Sequence, residues 1–367
     1  MKQKLDIFLA TGGTGGHIFP AQSVAECLIY YRHNIMISYD KRCLHLISES
    51  LQSLPCLLLE NSSNDKTFRS LLKNCFYTIL NCYRVIRLFL SRRPKIVIAF
   101  GSYATFPPLF AAVLLRIPFF LHEQNTTLGS VNKLFLPFAQ KIFLSFPLKD
   151  PVNVPFILTG LPIRKDVLAS ASKKNTRDFA KDGKLHLTVI GGSQGAKVLC
   201  QVVSEAINLL PIIVQKKILL EMQIRKELLS ELLLALDKTK CTYELNNFID
   251  DIGRSYKNAD IIITRAGASS IAEIMSVGQS AIIVPLPSSK ANHQYLNALD
   301  TAKAGNNLMM REQKIFSALW LKDRLLSLIE EKNTTGGSNI KVCRSLHLDA
   351  AESIVEITRN YARLRYL

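Results

Sequence analysis

Residues 5–30 read LDIFLATGGTGGHIFPAQSVAECLIY, and this stretch decides the fold. A short apolar run comes first, then a turn with four glycines, then a helical pattern. Glycine lets the backbone turn tightly and approach a ligand, and the N-terminus of the following helix favours an anion. The stretch therefore predicts a strand–loop–helix unit of an α/β fold, with a ligand-binding loop between strand and helix.

The same order returns in the second half, where residues 186–197 read HLTVIGGSQGAK. Apolar runs such as IVIAF at 96–100 are continuous rather than alternating, which is typical of parallel strands buried on both faces. With 367 residues, the chain predicts two Rossmann-like domains whose parallel sheets face a central cleft. We predict strands at residues 6–10, 35–39, 96–100, 118–121, 141–145, 186–190, 218–222, 260–264, 281–285 and 307–310.

The domain boundary is predicted near residues 160–164, where a proline-containing segment ends. This gives domains at 1–162 and 163–347, with residues 170–184 as an exposed loop of the second domain. The tail 348–367 has a helical pattern, and we expect it to pack back on the first domain.

Composition limits the classes of protein. The net charge of +17 favours polyanionic partners, among them phosphorylated substrates and anionic membranes. The eight cysteines form no Cys-x-x-Cys pair, so they predict reduced thiols in a cytoplasmic protein and no metal site. A signal peptide is not evident, and no apolar stretch approaches the roughly 18–20 residues of a membrane-spanning helix.

Two polar motifs of the first half carry candidate catalytic groups. His17 follows the first glycine loop, where Thr14 adds a hydroxyl; the histidine is either a general base or a capping or packing residue. HEQN at 122–125 follows a buried strand, where ligands of α/β proteins bind. There Asn125 offers a donor and an acceptor to a sugar, and Glu123 is either a base or a structural hydrogen-bond acceptor.

Three motifs of the second half suit a sugar nucleotide. Ser193 and the loop amides around it can cradle a diphosphate, the alternative being a plain tight turn. Glu273, in RAGASSIAE at 265–273, can chelate a ribose diol or be an ordinary helix acid. Gln294, in the polar segment 288–298, suits sugar hydroxyls, unless that segment is a solvated loop.

Residues 66–95 contain eight Lys or Arg and no acid, with apolar residues at helical spacing between them. A basic amphipathic segment of this kind favours an anionic membrane surface. A helix pair that packs in the core and exposes a basic face is the alternative. Nucleic acid is a weaker prediction, because no recognised binding motif accompanies the charge.

Together the motifs resemble the MurG-type family, the UDP-N-acetylglucosamine:lipid I N-acetylglucosaminyltransferases of peptidoglycan synthesis. The resemblance runs from residue 5 to about residue 310. It rests on TGGTGGHIFP at 11–20, FGSY at 100–103, HEQN, TGLPIR at 159–164, IGGSQGAK at 190–197, FIDDI at 248–252, RAGASSIAE and NHQYLNA at 292–298.

The resemblance implies an inverting transferase of the GT-B fold that needs no cofactor or protein-bound metal and acts at the cytoplasmic face of the inner membrane. The first domain would take lipid I and touch the membrane, and the second would hold UDP-N-acetylglucosamine (UDP-GlcNAc). We expect His17, with Glu123 second, to be the base. Matched by position, the implied donor contacts are Thr14, Gly15, Gly16, Asn125, Arg164, Ser193, Ile249, Glu273 and Gln294.

The chain departs from the family pattern at a few positions. Leu161 replaces a usual Asn, Ser102 and Phe106 replace small residues, and Gln279-Ser280 replaces a Lys-Pro-like pair. We expect Phe106 to narrow the acceptor side.

Other functions compatible with the motifs are a UDP-GlcNAc 2-epimerase, a transferase that glycosylates a diacylglycerol, and a membrane-surface binding protein without activity.

Overall fold

A computed structural model describes residues 5–60, 67–172, 183–191, 197–289, 292–303, 307–335 and 346–366. The chain divides into two compact units. Unit 1 comprises Met1–Arg164 and Leu346–Leu367, and unit 2 comprises Lys165–Ser345.

Unit 1 is built on a seven-stranded sheet in the order β3-β2-β1-β4-β5-β6-β7. All neighbouring strands of this sheet run parallel. The strands are β1 (Ile7–Ala10), β2 (Ile35–Asp40), β3 (Cys56–Leu59), β4 (Ile96–Ala99), β5 (Phe119–Glu123), β6 (Lys141–Leu144) and β7 (Phe156–Leu158).

Helices cover both faces of this sheet because its strands are apolar on both faces. Ile7 and Leu9 of β1 belong to one buried cluster, whereas Phe8 and Ala10 belong to another. This is the arrangement that continuous apolar runs predict. The helices of unit 1 are α1 (Gly15–Tyr30), α2 (Glu49–Gln52), α3 (Phe68–Ser91), α4 (Phe106–Leu114), α5 (Ser130–Phe135) and, at the end of the chain, α14 (Ala350–Tyr366).

The last helix belongs to unit 1. Ile354 and Val355 of α14 are fully buried in the cluster that also contains Leu28 of α1. The hydroxyl of Tyr361 donates to Gln140 Oε1 over 3.0 Å.

Two hydrogen bonds hold the end of the segment Met1–Arg164 against the rest of unit 1. Ser23 Oγ donates to the Ile163 carbonyl over 2.7 Å, and the Leu161 N–H donates to His347 Nδ1 over 2.8 Å. Leu161 is 1% exposed, so the departure from Asn at this position places an apolar side chain in the interior.

Unit 2 has a six-stranded parallel sheet in the order β10-β9-β8-β11-β12-β13. Its strands are β8 (Leu185–Ile190), β9 (Ile218–Gln223), β10 (Thr242–Asn246), β11 (Ile261–Thr264), β12 (Ala281–Ile283) and β13 (Leu308–Met310). Its helices are α6 (Lys165–Ser172), α7 (Lys197–Asn208), α8 (Ile212–Gln215), α9 (Leu229–Leu236), α10 (Ile252–Asn258), α11 (Ala268–Val277), α12 (His293–Lys303) and α13 (Ala318–Thr335).

The fold prediction, α/β with two Rossmann-like domains, is confirmed, and so is each of the ten predicted strands to within a few residues. Three strands escaped prediction: β3, β7 and β10. Each lies at the edge of its sheet and is partly exposed. β3 (CLLL) and β7 (FIL) are short apolar runs, and β10 (TYELN) mixes polar and apolar residues. The predicted loop 170–184 begins inside α6, and residues 173–182 lie outside the described residues.

Candidate functional site

The first glycine loop joins β1 to α1, and its backbone lies close against the loop that follows β4. A Cβ on Gly13, whose φ is +87°, would lie 2.6 Å from Ser102 Oγ, so no larger residue fits there. Thr14 is the exposed N-cap residue of α1, and Gly15 and Gly16 form its first turn. The loop thus presents backbone N–H groups and a hydroxyl at a helix N-terminus, as an anion site requires.

Asp40, a residue missed by the sequence prediction, supports this loop from the end of β2. It is fully buried, and its Oδ2 accepts the N–H of Gly13 over 3.1 Å. Its ion pair with Arg42, at 2.7 Å, raises the pKa of the arginine. The signal that could have found it is an acid that ends a buried strand beside β1.

His17 lies in the first turn of α1 and is half-buried. Its Nδ1 is 2.8 Å from the carbonyl oxygen of Phe100. Because a carbonyl only accepts, Nδ1 carries the hydrogen and the lone pair of the neutral ring lies on Nε2. A Cβ on Gly101 would be 3.2 Å from the His17 ring, so this ring packs closely on the loop that follows β4. The ring is therefore held in the tautomer that suits a proton acceptor at Nε2.

The loop after β4 has a strained backbone. Ser102 has a φ of +73°, in the left-handed region that side-chain-bearing residues avoid at a cost of about 1–2 kcal/mol. The departure from glycine at this position therefore leaves the left-handed conformation in place. Phe106, the other departure, forms part of an aromatic cluster on α4 and α5, 5.4 Å from the Phe135 ring.

The HEQN motif begins inside a strand rather than after it, since β5 continues through Glu123. Glu123 is 1% exposed, and both carboxylate oxygens are engaged. Its Oε1 accepts the N–H of Asn125 over 3.1 Å, and its Oε2 accepts from Gly129 N and from Asn132 Nδ2 over 2.9 Å. Of the two roles left open, these contacts fit the structural acceptor.

Asn125, two residues after Glu123, is held by the same carboxylate. Its Nδ2 donates to Glu123 Oε1 over 3.2 Å, and its side chain is half-buried. Arg164, the last residue of the first segment of unit 1, lies with its guanidinium 4.5 Å over the Phe19 ring of α1. Arg164 thus lies against α1, and Asn125 lies at the end of β5.

In unit 2 the candidate residues follow neighbouring strands. Gly191 follows β8, whereas Ser193 lies outside the described residues. Arg265 follows β11 and is 9% exposed; its guanidinium donates to the Val284 carbonyl and to Gln313 Oε1. Burial lowers the pKa of this arginine. Its contacts tie the ends of β11 and β12 together, which shapes the edge of the sheet.

Glu273 lies in the middle of α11 and is only 3% exposed. Its Oε2 accepts the hydroxyl hydrogen of Tyr256 over 3.2 Å, and Tyr256 is itself 1% exposed. A buried carboxylate needs such partners, so Glu273 differs from an ordinary exposed helix acid.

Gln294 lies in the first turn of α12, and its Oε1 accepts the N–H of Leu286 over 3.0 Å. The side chain is thereby fixed by the turn after β12, which differs from the solvated loop that was the alternative. Ile249, on the loop after β10, is 7% exposed beside the half-exposed Phe248. Asp251 then caps α10 by accepting the N–H of Arg254 over 2.9 Å.

Helix α3 carries an unusual outward face. Leu72, Phe76, Ile79 and Tyr83 are 56–69% exposed and follow one another at helical spacing. The opposite side of the same helix packs in the core through Val85, which is fully buried. Within the described residues, no helix has the length and apolar character that crossing a membrane requires.

The part of the chain that is described contains no group of three or more His, Cys, Asp or Glu side chains that could hold a metal ion.

Comparison with known proteins adds to this geometry. The glycosyltransferase family 28 N-terminal domain model matches residues 7–144, and the family 28 C-terminal domain model matches residues 186–353. The chain is 38% identical over 336 residues to a protein of Rickettsia canadensis named UDP-N-acetylglucosamine–N-acetylmuramyl-(pentapeptide) pyrophosphoryl-undecaprenol N-acetylglucosamine transferase, covering 88% of this chain and 90% of that one.

Solved structures agree in fold. MurG of Acinetobacter baumannii superposes with a TM-score of 0.70 at 23% identity, over 97% of this chain and 99% of that one. MnaA of S. aureus, solved with UDP, gives a TM-score of 0.66 at 14% identity over 99% of this chain and 98% of that one. At these identities the likeness concerns the fold.

Proposed function

Since this chain belongs to glycosyltransferase family 28, we propose that it transfers N-acetylglucosamine from UDP-GlcNAc to the muramyl 4-hydroxyl of lipid I. The product is lipid II, the disaccharide precursor of peptidoglycan. The observation that carries this proposal is the 38% identity to the Rickettsia canadensis transferase over most of both chains, together with the tautomer imposed on His17.

In the proposed reaction the 4-hydroxyl oxygen attacks the anomeric carbon and its proton passes to Nε2 of His17. The bond from the anomeric carbon to the diphosphate oxygen breaks, and its electron pair leaves with UDP, so the configuration inverts. The tautomer supports this role, because donation from Nδ1 to the Phe100 carbonyl leaves the lone pair on Nε2. Glu123 is the weaker candidate, since its oxygens hold backbone and amide groups.

The donor contacts are proposed for both units. In unit 1 they are Thr14, Gly15, Gly16, Asn125 and Arg164. In unit 2 they are Ser193, Ile249, Glu273 and Gln294, with Glu273 binding the ribose hydroxyls. The burial of Glu273 beside Tyr256 supports this role, because a carboxylate shielded from water binds a diol more strongly than an exposed one. The leaving diphosphate is stabilised by loop amides, Arg164 and helix N-termini, which needs no cofactor.

The lipid acceptor implies a membrane contact, and we place it on α3. Phe76 and Ile79 are 62% and 69% exposed, which is costly in water for side chains of this size. Arg69, Lys73 and Arg87 are exposed on the same helix. An apolar stripe flanked by cations suits the interface of an anionic bilayer, so we propose a peripheral position at the cytoplasmic face of the inner membrane.

The division of labour follows the two units. The first, predicted as residues 1–162 with the C-terminal helix, would take lipid I and contact the membrane. The second, predicted as residues 163–347, would hold the UDP-sugar. Nucleic acid is not among the proposed partners, and the protein partners in a cell-wall complex are not assigned.

Transfer of labelled GlcNAc from UDP-GlcNAc to a soluble lipid I analogue tests the activity. We expect a labelled disaccharide product that requires the acceptor. Formation of UDP-ManNAc from UDP-GlcNAc alone would instead show an epimerase, and transfer to a diacylglycerol in competition would show a glycolipid transferase. Saturable donor binding without turnover would leave a binding protein.

A further inference from the structure

A chain of hydrogen bonds crosses four neighbouring strand ends of unit 1. The Phe100 carbonyl, directly after β4, lies 2.8 Å from Nδ1 of His17 and 2.7 Å from Nε2 of Gln124. The same Nε2 lies 3.1 Å from Nδ1 of His122, and Nε2 of His122 lies 3.3 Å from Ser145 Oγ. His17 lies on α1 after β1, Phe100 follows β4, His122 and Gln124 lie at the end of β5, and Ser145 follows β6. The four strands are adjacent in the sheet.

The chemistry of each group fixes the direction of these bonds. A carbonyl only accepts, so His17 and Gln124 both donate to Phe100. The amide nitrogen of Gln124 has two hydrogens and no lone pair to offer, so its second hydrogen goes to Nδ1 of His122. His122 is then a neutral ring with its hydrogen on Nε2, which lies 3.3 Å from Ser145 Oγ, and the ring also bonds to the Gly160 backbone. Full burial, which lowers the pKa of His122 to about 3, keeps the ring in this form.

The hydrogen bond from Gln124, here called the clamp, is needed because the backbone beside the Phe100 carbonyl does not fix the direction of this carbonyl. The next residue, Gly101, has a φ of +78° and no Cβ, so the peptide between the two residues can turn over at little steric cost. A turned peptide would remove the acceptor from His17. The amide of Gln124 opposes this, because its hydrogen would then face an N–H group.

Gln124 is retained in the interior at a cost. The side chain is 2% exposed, and its Oε1 has no hydrogen-bond partner among the described residues, which costs about 1–3 kcal/mol. An apolar residue of the same shape would avoid this cost. A glutamine at this point is therefore explained by its amide hydrogens rather than by the stability it adds.

We propose that Gln124 is a positioning residue, which holds the Phe100 carbonyl towards His17 and so keeps the lone pair of His17 on Nε2. The inference rests on His17 being the base of the proposed function, and it names the group that prepares this base. Gln124 itself touches neither substrate in this role.

The variant Gln124→Met tests it, since methionine keeps the length of the side chain and removes both donors. We expect kcat for transfer to a soluble acceptor to fall about tenfold or more, with KM for UDP-GlcNAc changed less than about twofold. In protein labelled with 15N-histidine, the ring signals of His17 should move from the Nδ1–H form to a mixture of tautomers. Gln22→Met is the matched control, because Gln22 is also a buried glutamine of unit 1 whose Oε1 has no hydrogen-bond partner in the described part of the chain.

Unchanged kcat and an unchanged His17 tautomer in a folded Gln124→Met protein would overturn the inference. So would an equal effect of Gln22→Met. Should Gln124→Met not fold, the wild-type spectrum still decides, because an Nε2–H tautomer of His17 in the native protein contradicts the clamp. If His17→Ala keeps full activity, the base assignment fails, while the tautomer measurement on Gln124→Met stands by itself.

Discussion

The carboxyl edges of the two sheets share a strand–loop–helix frame and differ in the groups they carry. In unit 1 these groups include two imidazoles, and hydrogen bonds to the Phe100 carbonyl and from Gln124 set which nitrogen of His17 and His122 is protonated. In unit 2 they are a carboxylate and an amide, Glu273 and Gln294, whose oxygens accept hydrogens. A repeated fold therefore does not repeat the chemistry: one edge suits proton removal and the other suits the binding of hydroxyls.

The largest effect is expected at the unit 1 edge. His17→Ala should lower kcat by about 10²–10⁴-fold, because it removes the proposed proton acceptor, while the Kd of UDP-GlcNAc changes little. Steady-state transfer and calorimetric binding measure the two quantities. His45→Ala, at an exposed histidine of the same unit, is the control. An unaltered kcat in His17→Ala would take the base role away from this residue.

A smaller loss, in donor binding rather than in kcat, is expected in unit 2. Glu273→Gln replaces a charged acceptor by a neutral one, so donor Kd should weaken about ten- to a hundredfold, with kcat at saturation less affected. Binding of UDP-GlcNAc and of its 2′-deoxy analogue gives the test. If Glu273 holds the ribose, the variant should discriminate less between the two ligands. The exposed Glu227→Gln is the control, and an equal response of both variants would argue against a diol contact.

The third prediction separates the catalytic role of unit 1 from the membrane contact proposed on α3. Phe76→Ser with Ile79→Ser removes two exposed apolar side chains of α3, and binding to vesicles containing phosphatidylglycerol should fall about tenfold. Transfer to a soluble acceptor should stay as in the wild type. Leu319→Ser, at a residue of unit 2 that is 62% exposed, should change neither property. Vesicle binding that survives the α3 changes would place the membrane contact elsewhere.

The smallest effect concerns acid stability, where the units should respond with opposite sign. Burial lowers the pKa of His347 in unit 1 from 6.5 to about 4. Between these values the unfolded chain binds a proton that the folded unit does not. The free energy of unfolding therefore decreases as the pH is lowered, by at most about 1.4 kcal/mol per pH unit for this residue. In unit 2, burial raises the pKa of Glu221, so the folded state takes up its proton first and gains stability as pH falls.

The single tryptophan makes this measurable, because Trp320 lies in unit 2 and its fluorescence reports that unit. Circular dichroism follows both. From pH 7 to pH 5 we expect the midpoint of urea unfolding by dichroism to fall more than that by fluorescence. His347→Asn keeps an acceptor for the Leu161 N–H without a titrating ring, so it should make the dichroism curve less steep, with His122 still contributing. A pH dependence identical to the wild type would show that His347 does not contribute.

Much of this architecture is predictable because it follows local pattern. Central strands such as β4 carry a continuous apolar run, and each glycine loop follows a strand. The edge strand β10 lacks that run, since it is partly exposed along its length. Which family positions contact the donor stays a prediction throughout, and for Ser193 it falls outside the described residues.

Site chemistry was harder to foresee where it depends on contacts distant in sequence. His17 was found from its loop, but its acceptor is a backbone carbonyl 83 residues away, which no side-chain pattern marks. Glu123 and Gln124 are neighbours in one motif, yet one holds a loop and the other a carbonyl. The two side chains take different directions because β5 continues to Glu123, two residues beyond its predicted end.

The central claim is that proton removal and donor binding are divided between the two edges, and the double variant His17→Ala/Glu273→Gln tests it most directly. Its kcat/KM and its Kd for UDP-GlcNAc are compared with those of both single variants in a double-mutant cycle. We predict that the two losses in kcat/KM multiply and that the donor Kd equals that of Glu273→Gln alone. A double variant no slower than His17→Ala, or a donor Kd weakened by His17→Ala itself, would contradict the account.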